Sequence, residues 1–266
     1  MNRHGTAWSH DELILAFDLY CRLPFGQLHK THRDIIRLAE VLGRSPSSVS
    51  MKCCNFAAFD PKLQERGVGG LSNASRGDRA IWDEFHADWN GLSLEAYEIL
   101  ARLPRAGGDP VFHPRENGDP DSFVQPIGDS ERLATVKARI HQTFFRSMIL
   151  SSYDNTCCIT GLRIPEALVA SHIIPWAVDE SKRTDPTNGL CLSATWDRLF
   201  DRGLVTVTPE YRVKVSKRLL ESRDERIQEQ VCRYEGREIT MPGRWWPGVE
   251  VLNWHKVNIY FVNDHY

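Results

Sequence analysis

The sequence predicts an α+β protein in two parts, a helical N-terminal domain of helix-turn-helix type and a C-terminal domain of short strands and helices. Three observations predict it. Apolar residues recur at helical spacing through the first hundred positions, a stretch over 104–131 is rich in Gly, Pro and Asp, and alternating apolar segments follow it between further helical ones. The expected boundaries are a helical domain over 1–103, a linker over 104–131 and a second domain over 132–266. With 266 residues, 41% of them hydrophobic, the chain can bury a core in each of two modest domains.

The first helix is expected over 8–23, where Ser9 and Glu12 have capping-box spacing and Leu13, Ala16, Phe17 and Tyr20 share a face. Thr31 and Asp34 open a second helix, with Ile35, Leu38, Ala39 and Leu42 at a 3.6-residue period and Gly43 as its stop. Ser45-Pro46 then caps a third over 46–57. Its Val49, Met51, Cys53 and Phe56 are expected partly inward, leaving Ser47, Ser48, Lys52 and Asn55 to solvent as candidate DNA contacts. A three-helix packing module whose Ser and Lys face only water is the plain alternative. A further helix over 92–103 precedes the acidic linker, whose composition predicts the first cleavage by protease.

The second domain opens on a helix over 133–153, with Val136, Ile140, Phe144 or Phe145, Met148 and Ile149 on its apolar stripe. Short strands over 168–174 and 189–192 flank a loop, and Ser193 then caps a helix that Gly203 ends. Alternation over 204–208 and 212–216 predicts a hairpin, followed by a charged helix over 218–234 and a tail with Trp245, Trp246 and Trp254.

Thirty-three basic against 35 acidic residues give a net charge of −2, so a polyanion partner must be met by local basic faces and not by an overall field. No run approaches the ~18 apolar residues of a membrane helix, and the opening Met-Asn-Arg-His-Gly-Thr lacks a signal-peptide core, which predicts no membrane partner and a cytoplasmic location. Seven cysteines are an odd set in a chain of ordinary size, and they read as small buried hydrophobes without a disulfide framework.

The chemistry concentrates in the strand–loop–strand–helix unit. Asp197 and Asp201 stand four apart, on one face of a helix, where two carboxylates can share a hard cation. His172, on the first strand, faces that helix; a neutral imidazole there can take a proton from water while a cation stabilises charge developing on a phosphodiester. The plain alternatives are a satisfied core histidine, a turn at Asn188-Gly189, a solvated acid at Asp197 and surface pairing of Asp201 with Arg198 and Arg202.

Read in order, Cys158-Ile-Thr-Gly161, Ser171-His172-Ile173, Asn188-Gly189-Leu190 and Asp197-Arg-Leu-Phe-Asp201 resemble the HNH, or ββα-metal, endonuclease superfamily, and within it the restriction-type branch, over about 144–207. The resemblance implies that His172 is the general base and that Asn188 holds the loop so that the histidine is oriented. It also makes Asp197 the helix metal ligand, with Asp201 in the place of a second. Lys182, Arg183 and Arg198 stand beside the implied site as candidate phosphate contacts. Ser171 departs from the pattern, since many relatives carry an acid or histidine there, and a shell of two aspartates, phosphate and water suits Mg2+ or Mn2+. Paired Cys-x-x-Cys knuckles are missing, so no structural zinc is expected.

The segments Leu38-Ala39-Glu40, Gly43-Arg44-Ser45, Ser48-Val49 and Asn55-Phe56 resemble the helical region often fused ahead of restriction-type HNH nucleases. Together these features predict a metal-dependent endonuclease acting on double-stranded DNA in restriction or host defence. The alternatives are a DNA-binding regulator with an inactive nuclease unit, or an RNA-cutting, toxin-like nuclease. Cutting both strands with one site per chain favours a homodimer, although no heptad marks one.

Overall fold

A computed structural model of the chain describes residues 6–67, 74–103 and 129–260, so most of the expected linker lies outside the described residues. The chain divides into two compact units, Met1–Ser147 and Met148–Tyr266, and the division falls inside a helix. Among the described residues no helix is long and apolar enough to cross a membrane.

In the first unit, α1 (His10–Arg22) is closed by the expected capping box: Ser9 Oγ accepts from the Glu12 amide while Glu12 Oε2 accepts from the Ser9 amide. The helix is apolar almost all round, and Ile14, Leu15, Ala16, Phe17, Leu19 and Tyr20 are all buried, which makes it the central element of this unit. Around it pack α2 (Arg33–Leu42), α3 (Pro46–Ala57), α5 (Arg76–Ala87) and α6 (Trp89–Arg102), with the short α4 (Pro61–Glu65) between α3 and α5. Rings of Phe17, Tyr20, Phe56, Trp82 and Trp89 meet at centroid distances of 4.9 to 6.3 Å and form its core. The N-cap of α2 is His32, whose Nδ1 accepts from the Asp34 amide, and not Thr31. Ser45 caps α3 and Pro46 is its first residue.

The exposed face of α3 differs from the one its local pattern suggested. Lys52 and Asn55 are buried: Lys52 Nζ lies 2.7 Å from Asp78 Oδ1, and Asn55 Nδ2 donates to Asp78 Oδ2 at 3.2 Å. Met51, expected partly inward, is 57% exposed instead. The reason is tertiary. Asp78 belongs to the capping box of α5 with Ser75, is itself wholly buried, and supplies the only kind of partner that lets a lysine turn inward. Ser47 stays exposed and Ser48 is half-buried. A second buried ion pair lies nearby, where Arg44 grips both carboxylate oxygens of Glu12 at 3.0 and 2.7 Å and donates to the carbonyls of Thr6 and Ala7.

The helix α7 (Asp129–Ser152) crosses the division between the units, and its Phe144, Phe145, Met148 and Ile149 are buried. In the second unit, β1 (Leu168–His172) and β2 (Gly189–Ser193) pair antiparallel with His172 opposite Gly189, and α8 (Ala194–Asp201) follows β2 directly and packs on both strands. Gly203, at φ 63°, stops that helix in the left-handed conformation that favours glycine. The hairpin β3 (Val205–Val207) and β4 (Val213–Val215) comes next. The charged segment after it is not one helix but two short ones, α9 (Lys217–Leu220) and α10 (Glu225–Gln230), with a 3-10 turn over Cys232–Tyr234; Ser222-Arg223-Asp224 divides it, and Asp224 caps the second piece. α11 (Val249–His255) runs on into a π-helical turn over Lys256–Tyr260 and packs against β3.

All seven cysteines are free, and five of them are buried. Cys157 Sγ accepts from the amides of Thr160 and Ser193, and the Cys158 amide donates to the Cys191 carbonyl, so this cluster ties the turn over 157–162 to β2. Gly161 sits in that turn at φ 75°, which explains a glycine three residues after Cys158.

Candidate active site

β1 ends at His172, and everything around its ring serves to fix it. The Nε2 atom stands 2.9 Å from the Arg183 carbonyl oxygen, and the ring meets Trp176 edge-on at 5.6 Å. A carbonyl only accepts, so Nε2 carries the proton and the neutral ring keeps Nδ1 as its basic atom. Burial holds the His172 pKa below its ordinary value, against the opposing pull of the Arg183 carbonyl, and this keeps the ring neutral at physiological pH.

Asn188 is fully buried and makes three hydrogen bonds that clamp the loop onto the end of β1. Its Oδ1 accepts from the Ile174 amide at 2.8 Å, and its Nδ2 donates to the carbonyls of Ile174 at 3.0 Å and Lys182 at 3.1 Å. Backbone is thereby fixed two residues after His172, at Ile174, and directly before its partner Arg183, at Lys182. The Arg183 side chain completes the brace. Its guanidinium lies 4.9 Å over the Trp176 ring, donates to the Trp176 carbonyl and pairs with Glu180 at 3.0 Å. Lys182 pairs with Asp185 at 2.7 Å, and Asp185 in turn caps the turn at Thr187. Both cations expected to stand open to phosphate are thus engaged within the loop.

Across from His172, Arg198 and Asp201 of α8 and its C-cap Arg202 line a cleft of about 330 Å³ together with His172, Ile173, Pro175, His255 and Ile259. Asp201 is the carboxylate of the expected pair that lines this cleft, and Asp197 stands one turn earlier on the same helix face, half-buried. The two feel one another. Although the Asp201 residue is exposed overall, loss of water at the cleft wall, followed by the Asp197 charge, pushes its pKa up to about 6 against the pull of Arg198 and Arg202. A divalent cation beside the pair would relieve that repulsion, so the donor set fits a hard cation bound through carboxylate oxygen. Among the described residues no group of three His, Cys, Asp or Glu is placed to hold a metal, which leaves further positions to water and substrate oxygens. Ser171 is buried on the opposite side of the strand from His172, does not line the cleft, and its Oγ has no hydrogen-bond partner among the described residues.

Two parts of the cleft were invisible in the spacing around His172. His255 stacks on Phe200 at 3.6 Å, and its Nε2 donates to the Phe200 carbonyl while Nδ1 meets Thr206 Oγ1 at 2.9 Å. Ile259 follows one turn later. Both arrive from the C-terminal helix, and only their contacts with α8 and β3 bring them here.

Residues 157–208, the turn, both strands, the loop and α8, match the family model for HNH endonuclease. This segment is an HNH endonuclease domain. The HNH domain makes the chain a nuclease, a phosphodiester hydrolase, and HNH nucleases use divalent cations. No curated protein matches the chain. The helices around α1 and the tail that brings His255 lie outside the matched segment.

Buried and bonded at both nitrogens, His255 is a neutral structural ring, with a pKa lowered from 6.5 to about 4 by burial. The unfolded ring takes its proton near 6.5 and the folded one only near 4. Between those values the unfolded state binds more protons, so stability rises with pH through the window and is lost as pH falls through it, by roughly 3 kcal/mol in all. His255→Gln should therefore flatten the dependence of urea-unfolding free energy on pH between about 4 and 6.5. Parallel slopes for variant and wild type would show that His255 does not titrate in this way.

Proposed function

We propose that the chain is a divalent-metal-dependent endonuclease that cuts double-stranded DNA in a cytoplasmic restriction or host-defence setting, with His172 as general base. The observation that carries this reading is the bond from His172 Nε2 to the Arg183 carbonyl, on a loop held by Asn188, with the Asp201 carboxylate lining the same cleft as the ring. His172 Nδ1 removes a proton from water at the cleft, and the water oxygen attacks phosphorus as the P–O bond to the leaving sugar oxygen breaks, that oxygen taking a proton from solvent. Asn188 is a positioning residue, since its three bonds go to backbone. Asp197 and Asp201 hold Mg2+ or Mn2+, which when bound neutralises charge on the phosphate and the leaving oxygen. Arg198 contacts phosphate, whereas Lys182 and Arg183 act by holding the loop that aims the histidine.

For the first unit, the resemblance to helical segments fused ahead of restriction-type nucleases and the exposed Ser47 edge of α3 support a role in contacting duplex DNA. Cleavage of both strands would call for two copies of the chain, each supplying one site.

The test is nicking of supercoiled plasmid. Mg2+ or Mn2+ should support it, chelator should abolish it, and the purified protein should contain no zinc. Cleavage that persists in chelator, or one tightly held zinc per chain, would overturn the metal assignment. Faster cutting of RNA than of DNA would overturn the substrate.

A further inference from the structure

Arg198, in α8, and Arg202, the C-cap of that helix, line the cleft and act on Asp201 only through the field of their charges. Arg198 and Arg202 are four apart on one helix face and both line the cleft beside His172 and Asp201. Among the described residues neither side chain makes a hydrogen bond or an ion pair within 4 Å, although Asp201 lies beside them on the same helix; the simple surface pairing that their sequence spacing allows does not form. The other cations of this unit near the site behave differently. Lys182 and Arg183 are each closed onto an acid of their own loop.

An arginine that is exposed, stands next to a histidine and an acid, and makes no hydrogen bond or close ion pair among the described residues has its fork of donors available to an anion that enters the cleft. Such an anion must fit beside the histidine and near the carboxylates. A phosphodiester has that shape and charge, and the planar guanidinium matches its two non-bridging oxygens.

We propose that Arg202, together with Arg198 one turn before it, forms a clamp for backbone phosphate of the DNA strand lying in the cleft. The proposal rests on reading the cleft as the nuclease centre, and it adds Arg202 as a substrate-binding residue. With two arginines on one side and two aspartates along the same helix, α8 alternates anion-binding and cation-binding groups, so that a phosphate and a cation can sit side by side along one turn.

The test is the salt dependence of duplex binding, measured with a fluorescent DNA duplex on the full chain carrying His172→Ala so that substrate is not consumed. Each of Arg198→Met and Arg202→Met keeps the alkyl stem and should lower the slope of log K against log[salt] by about 0.9, and the double change by about twice that. Arg202→Lys should keep the slope, because the charge remains. A role confined to packing would move none of these values. An unchanged slope in the folded double variant overturns the clamp. Nicking by the chain with a native His172, assayed in parallel, separates the two readings: if that chain cuts and the slopes do not move, the clamp alone fails, and if it does not cut while the slopes fall, the nuclease reading fails and the phosphate site stands.

Discussion

Lys52→Met should destabilise the first unit by about 3–5 kcal/mol, the range for removing one partner of a buried ion pair. The Asp78 carboxylate stays behind, wholly buried, with the Asn55 amide and the Ser75 backbone N–H as its remaining donors among the described residues. Neither carries charge, so the desolvation of Asp78 is no longer balanced. Replacing Asp78 by Asn in the same chain removes the orphaned charge and should recover much of the loss, giving a large coupling energy in the double-mutant cycle. Urea-unfolding free energies of the four proteins decide it. A loss under about 1 kcal/mol for Lys52→Met, together with a reduced salt slope for DNA binding, would instead mark Lys52 as an exposed phosphate contact.

That residue also shows where the sequence was legible and where it was not. The bounds of α3 followed from Ser45-Pro46, because capping is decided by a few adjacent residues. Which of its faces is buried was not decided locally. Asp78 lies 26 residues away, and until it is placed a lysine in α3 reads as a solvated residue. Met51 was misread for the same reason, being apolar and yet on the side left open. In the second unit, the order β1, loop, β2, α8 was readable because each motif residue has a local job: Gly161 takes a positive φ, Asn188 bonds to the backbone of its own loop, and Gly203 ends the helix. His255 and Ile259 had no such signal. Their place in the cleft depends on the packing of α11 against β3, which no spacing near His172 encodes. At Lys182 and Arg183 proximity to the motif suggested phosphate contacts, and what the sequence did not show is that acids three residues away pair with both.

The second large effect concerns His172. The imidazole is held by a carbonyl on one nitrogen, kept neutral by burial, and set against the face of α8 that carries Asp201. Its removal leaves the carboxylates, the arginines and the loop brace in place, since Asn188 and Arg183 are bonded to backbone and to Trp176 and Glu180, not to the ring's other nitrogen. Substrate should therefore still bind, while proton removal from water falls to solvent. General-base catalysis contributes about 10²–10⁴-fold, which sets the expected loss.

The most direct measurement is the initial rate of supercoiled-plasmid nicking by His172→Ala beside the wild-type chain, at equal metal and DNA concentration, with duplex affinity measured on the same preparations. The expected result is a rate lower by about 10²–10⁴-fold with duplex affinity nearly unchanged. A variant that nicks at a near-wild-type rate would contradict the assignment of His172 as the base and of this cleft as the site of hydrolysis.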